Sequence, residues 1–174
     1  MKKFSSLMLI ALLFAACQSK NATSSDSAKA DTTKYPYTIK KANNWEINTD
    51  SKNLVIATTL IKTFENLDTV NMSKVLADSV WFVLDGYKFK GTKPQFLKQI
   101  QEEFGKMSSF KIQMQDMESV VNKDKSEEWV SLWYNQISTT KDGKSDTINL
   151  FNDIKLKNGK VEGLSEYVQH PMKK

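Results

Sequence analysis

The sequence predicts an α+β domain in which three helices precede and pack on an antiparallel sheet. Two observations carry this. Between Asp50 and Gly105 apolar residues recur at helical spacing in three stretches, interrupted by one run of β-formers. After Phe110 apolar and polar residues alternate, and turn signals divide the remainder into four strands.

The first helix is expected to be capped by Asp50, with Leu54, Ala57, Ile61 and Phe64 on its buried side and Leu60 and Leu67 widening the stripe. A short second helix fits Asn71 to Ala77, burying Met72, Val75 and Leu76. Ser79–Leu84 is rich in β-formers and reads as a strand. Asp85-Gly86 turns it, Tyr87-Lys88-Phe89 returns, and Gly91 closes the hairpin. Thr92-Lys93-Pro94-Gln95 is a capping-box pattern with proline in the first turn, where a missing N–H costs nothing. Phe96, Leu97, Ile100 and Phe104 then form a buried stripe that ends at Gly105. Strands follow at about 110–115, 127–139, 147–156 and 161–169. Polar turns at 122–125, 141–144 and 157–160 join them, so they form a meander.

The amino-terminal portion reads differently. Lys2 and Lys3 precede the apolar run Leu7–Ala16, which is too short to span a bilayer but suits a secretory signal peptide over residues 1–16. Cys17, the only cysteine, follows Phe14-Ala15-Ala16 directly and resembles a bacterial lipobox. That resemblance implies cleavage before Cys17 and acylation of its sulfur. Residues 17–44 are poor in apolar side chains and read as a flexible tether, which as a coil would span roughly 30 Å. Residues 45–174 make one domain. Gln18 stands where an Asp commonly signals inner-membrane retention, and no acidic run follows the cysteine. The expectation is therefore a lipid-anchored envelope protein on the outer membrane, facing the periplasm.

Charge narrows the function classes. All 25 basic residues are lysine, and residues 45–174 hold 18 Lys against 18 Asp plus Glu. The folded portion is neutral and lacks the basic face that nucleic acid requires. With no cysteine left after Cys17, thiol catalysis and thiolate zinc sites are out. No glycine-rich phosphate loop and no metal-ligand spacing occur, so no cofactor is expected.

The order of elements resembles the nuclear transport factor 2-like (NTF2-like) superfamily, in particular its SnoaL-like branch, over about residues 46–170. Three segments carry the resemblance. Asp85-Gly86 with Gly91–Leu97 is like the family's strand, turn and third-helix entry. The long strand after the polar turn at 122–125 is the second segment. Lys157–Tyr167 is like the family's final hairpin. The resemblance implies a cone, in which a strongly curved sheet wraps the helices and leaves a pocket at the open end. Family members include isomerases, cyclases, dehydratases, ligand binders and dimerisation modules, so the fold does not choose among them.

Candidate site residues follow from strand faces. Ile148, Leu150, Asn152, Ile154 and Leu156 form the expected inward face of one strand, with Asn152 the polar exception. It either meets a ligand or is a structural amide bonded to backbone or water. The strand over 127–139 is apolar on both faces: Trp129, Trp133 and Ile137 with Ser131 and Asn135 on one, and Val130, Leu132 and Tyr134 on the other. One set should line the cone. The other needs a cover, either a second copy of the chain or its own segment Tyr35 to Ile47. Trp81, Trp129, Trp133, Asn135, Asn152 and His170 are the pocket candidates. His170 is the only histidine and lies beside Pro171 near the chain end, so it is either a solvated terminal residue or a base carried over the pocket. Glu166 and Tyr167 face opposite ways, and no carboxylate–acid pair or Ser-His-Asp set can be assembled from the sequence. The first functional expectation is non-catalytic binding of a small apolar ligand or a partner protein. The alternatives are a cofactor-independent isomerase or hydrolyase and a structural dimerisation module.

Overall fold

The computed structural model describes residues 34, 36–38 and 44–169. The expected signal peptide over residues 1–16, Cys17, most of the expected tether over 17–44, and His170 lie outside the described residues. The chain divides between Ile39 and Lys40 into two units, and the architecture below is that of the second.

The elements run β1 (Trp45–Ile47), α1 (Lys52–Glu65), α2 (Thr69–Val75), β2 (Leu76–Leu84), β3 (Tyr87–Thr92), α3 (Lys93–Phe104), β4 (Met107–Asn122), β5 (Glu128–Thr140), β6 (Ser145–Lys157) and β7 (Lys160–Gln169). Three helices and the four-strand meander stand where the sequence puts them. The boundaries differ in instructive ways. Ser51, not Asp50, is the N-cap of α1; the Asp50 carboxylate instead accepts the Lys52 N–H at 3.0 Å. The second helix starts earlier than Asn71, because Asp68 caps it by accepting the Asn71 N–H at 2.9 Å. It also stops earlier, since Leu76 is already extended and opens β2. The Thr92–Gln95 capping box forms as expected, with the Thr92 N–H donating to Gln95 Oε1 at 2.9 Å.

One seven-stranded sheet has the order β1-β4-β5-β6-β7-β2-β3. All neighbours are antiparallel except β2 and β7, which run parallel. On a flat sheet β4 and β2, four steps apart, would be separated by about 19 Å at about 4.8 Å per step. Helix α3 nevertheless packs against both, and against β3 as well. A helix about 10–12 Å across can do that only if the sheet curls around it. The register shift between Met114 and Asp116 helps β4 bend.

The core lies on the concave side. Ala57, Leu60 and Ile61 of α1, Met72 of α2 and Phe96, Ile100 and Phe104 of α3 face Val130, Leu132, Leu150, Ile154 and Leu164 of the sheet. Phe82 and Phe96 stack with ring centroids 4.0 Å apart. Trp45–Ile47 does not fold over the sheet. It lengthens the sheet's edge, pairing with Val120–Asn122 of β4.

Candidate functional site

Packing does not fill the cone. A cavity of about 240 Å³ remains between the helices and the concave face of the sheet. Its wall is mostly hydrocarbon and aromatic: Phe64, Phe104 and Phe110 meet as a cluster with 5.1 Å between Phe64 and each of the other two rings. Exposed Glu103, half-buried Met107 and Ser138 mark the rim.

Tyr134, Asn152 and Glu166 form a polar cluster in this cavity, and Gln136 lines it as well. Strand register explains why. Residues directly opposite one another in an antiparallel pair point to the same side. Leu132 pairs with Asn152 and Asn152 with Glu166, so the buried face passes across β5, β6 and β7. Asn152 is 1% exposed, and its Nδ2 donates to the Tyr134 hydroxyl at 2.6 Å. Its Oδ1 is buried without a hydrogen-bond partner. Burial raises the Tyr134 phenol above its ordinary value, and the neighbouring Glu166 charge adds to this. Glu166 is also raised, first by burial and then by the charge of Asp85, against the opposing hydrogen bond from the Asp85 backbone N–H. A buried acceptor with no partner, and a carboxyl whose charged form burial disfavours, are both unfavourable in an apolar wall. Such groups are characteristic of sites that receive a ligand.

The pocket candidates separate into two groups. Asn152 lines the cone. Trp81, Trp129, Trp133 and Asn135 do not, which corrects their assignment to the pocket. Their neighbours Val80, Phe82, Val130, Leu132 and Tyr134 take the concave side, so the period of two turns these four outward. Asn135 there accepts from Gln115 Nε2 at 2.8 Å. Tyr134 and Glu166 stand in the cavity although neither is among the pocket candidates drawn from the sequence. The signal was available in the β5–β6 and β6–β7 hairpins, which pair even-numbered with even-numbered residues. Asn152 and its aliphatic neighbours fix the inward side of β6, and parity carries it to Tyr134 and Glu166.

The convex face has its own order. Trp81 and Trp129 approach to 6.3 Å between rings, with Lys155 Nζ 6.0 Å from the Trp129 ring. A second row runs Trp133, Phe151, Tyr167, with centroid spacings of 5.0 and 5.6 Å. Between the rows, half-buried Asp153 accepts from Ser131 Oγ at 3.0 Å, and burial raises its carboxyl. Tyr167 is 60% exposed. Among the described residues no group of three His, Cys, Asp or Glu side chains is arranged to hold a metal ion.

No family model matches the chain, and no curated protein matches it. Solved structures do. An NTF2-like protein of unknown function from Burkholderia pseudomallei is similar at 13% identity and a TM-score of 0.56, over 69% of this chain and 92% of that one. An epoxide hydrolase of the LEH-like kind from M. tuberculosis is similar at 10% identity and 0.57, over 70% and 86%. A putative ketosteroid isomerase from Kribbella flavida is similar at 11% identity and 0.54, over 71% and 82%. These likenesses establish the NTF2-like fold.

Proposed function

We propose that this NTF2-like domain is a receptacle for one small, largely apolar molecule, held at the bacterial envelope by an acylated Cys17. The observation that carries the binding reading is the unfilled cone, with its mostly apolar wall and a polar cluster of buried Tyr134, buried Asn152 and half-buried Glu166. A pocket of that composition gains affinity from apolar burial and orientation from a few polar groups. Native mass spectrometry of residues 45–174 tests it. A co-purifying small molecule that is lost on filling the cavity with Ile100→Trp is the expected result. A ligand-free spectrum, together with no stabilisation by any apolar compound, would sink it.

The anchor reading rests on the lipobox-like run ending at Cys17. Labelled palmitate is expected in the full chain and in the outer-membrane fraction, and in neither place for Cys17→Ser.

A second reading, acid–base turnover, is favoured by one observation: the raised carboxyl of Glu166 lies in the same cavity as a buried phenol. Epoxide hydrolase and ketosteroid isomerase activities are named for two proteins of this fold. Here the corresponding chemistry would be proton removal by Glu166 while Tyr134 donates to a developing oxyanion. Recovery of the bound molecule chemically unchanged after prolonged incubation separates storage from turnover.

The Trp133–Phe151–Tyr167 row, half-buried up to exposed Tyr167, supports a homodimer through the convex face.

A further inference from the structure

We infer that the cone selects a ligand whose polar head is a hydrogen-bond donor, specifically a small lipophilic amine carried as its ammonium, over isosteric alcohols and carboxylates. This rests on the receptacle reading and specifies what the receptacle takes.

Donors and acceptors are unequal in number at the polar cluster. Asn152 Nδ2 is already spent on the Tyr134 hydroxyl, while Asn152 Oδ1 is buried and unpartnered. Asn152 is 1% exposed, so water has little access to that oxygen. In its ionised form Glu166 brings two further acceptor oxygens, with the Asp85 backbone N–H acting on the carboxylate. Within the cluster the donor left is the Tyr134 O–H, while Gln136 and Ser138 elsewhere on the wall carry donors of their own. At the cluster itself acceptors thus outnumber donors, and a ligand head seated there must donate.

Charge points the same way. Among the described residues the cavity wall includes Glu166 and Glu103 and no lysine. Asp85 adds a further negative charge beside Glu166. Lys106 stands near the rim, but it is engaged with Glu103 at 2.6 Å. A carboxylate ligand would enter a wall that carries its own sign, with no cation to meet it. An ammonium brings three donors and the opposite charge, and charge-assisted hydrogen bonds are about twice as strong as neutral ones. The remainder of the cavity, built on Phe64, Phe104 and Phe110, accepts hydrocarbon or an aromatic ring.

Isothermal titration of the chain from Gln18 onward at neutral pH tests this with four compounds of one scaffold: benzylamine, benzyl alcohol, benzoate and toluene. Benzylamine is expected to bind at least about tenfold more tightly than benzyl alcohol, and benzoate not at all. Glu166→Gln is expected to bring the amine down to the alcohol, and Asn152→Leu to weaken both relative to toluene. Benzoate binding as well as benzylamine overturns the inference, as does an amine preference that Glu166→Gln leaves in place. Toluene binding with no amine preference overturns the donor selection and leaves the receptacle standing. If no compound binds, toluene included, the receptacle reading fails and the inference with it. Should Glu166→Gln fail to fold, the ranking on the unaltered chain still decides.

Discussion

The indole of Trp81 lies against the backbone of Gly163, so closely that a Cβ on residue 163 would stand 1.9 Å from Trp81 Cε2. The two residues are adjacent across the parallel β2–β7 pair. This glycine is fixed by contact rather than by an unusual backbone angle, and it seats one end of the convex aromatic surface. Gly163→Ala is expected to destabilise the domain by about 1–3 kcal/mol, as overpacking does. In a Trp81→Leu background the same change should cost markedly less. Urea titration of the four chains of this double-mutant cycle measures the coupling. Additive costs would show that the contact does not constrain the sheet.

The Tyr134–Asn152 bond predicts a second non-additive pair. Tyr134→Phe removes the acceptor for a buried amide and is expected to lower stability by about 1–3 kcal/mol. Asn152→Leu in the same chain removes the stranded amide, so the double variant should recover part of that loss. Chemical denaturation at one pH checks this, and a double variant as unstable as the sum of the singles contradicts it.

Two carboxyls predict opposite pH slopes. Glu166 is raised above the ordinary value of 4.5, by burial first. The folded state therefore holds its proton longer than the unfolded chain does. Its contribution is most favourable below pH 4.5 and is lost as pH rises through the folded value. Glu65 is pushed up by burial, but Lys62 and the Ile112 N–H outweigh this and leave it below 4.5. Its contribution is present above 4.5 and is lost as pH falls through the folded value. Relative to the parent, Glu166→Gln should therefore gain stability as pH rises from acid to neutral, and Glu65→Gln should lose it. Unfolding free energies measured across that range give both signs directly.

The proposed dimer predicts a change in mass. Tyr167→Lys places a charge at the exposed end of the Trp133–Phe151–Tyr167 row and is expected to shift sedimentation from dimer to monomer without lowering the unfolding midpoint. Equal sedimentation of parent and variant as monomers would remove the convex face as a self-association surface.

How far the sequence could be read depended on how one-sided each element is. Residues 147–156 alternate cleanly, so the inward placement of Leu150, Asn152 and Ile154 was legible and is what the structure shows. Strand β5 is apolar on both sides, and alternation alone could not choose between Trp129/Trp133 and Val130/Leu132/Tyr134. The tryptophans proved to be the outer set, and Val130, Leu132 and Tyr134 the inner one that joins the helices in the core. Glu166 was hidden for a related reason: a carboxylate in a strand ordinarily marks the wet face, and only its pairing with Asn152 reveals the inward direction. Strand β1 has three residues and no pattern of its own.

The chain writes its sheet out of spatial sequence. The strand completed last, β7, lies between β6 and β2, so the hairpin finished by Thr92 has no lateral neighbour on that side until residues 160–169 arrive. A polypeptide emerging amino end first must hold that hairpin and the greasy flank of α3 in waiting while about seventy further residues are made or threaded through. Assembly is gated by the rear of the molecule: losing the stretch from Val161 to Ser165, which pairs with β2, would leave the front half unclosed rather than merely shortened.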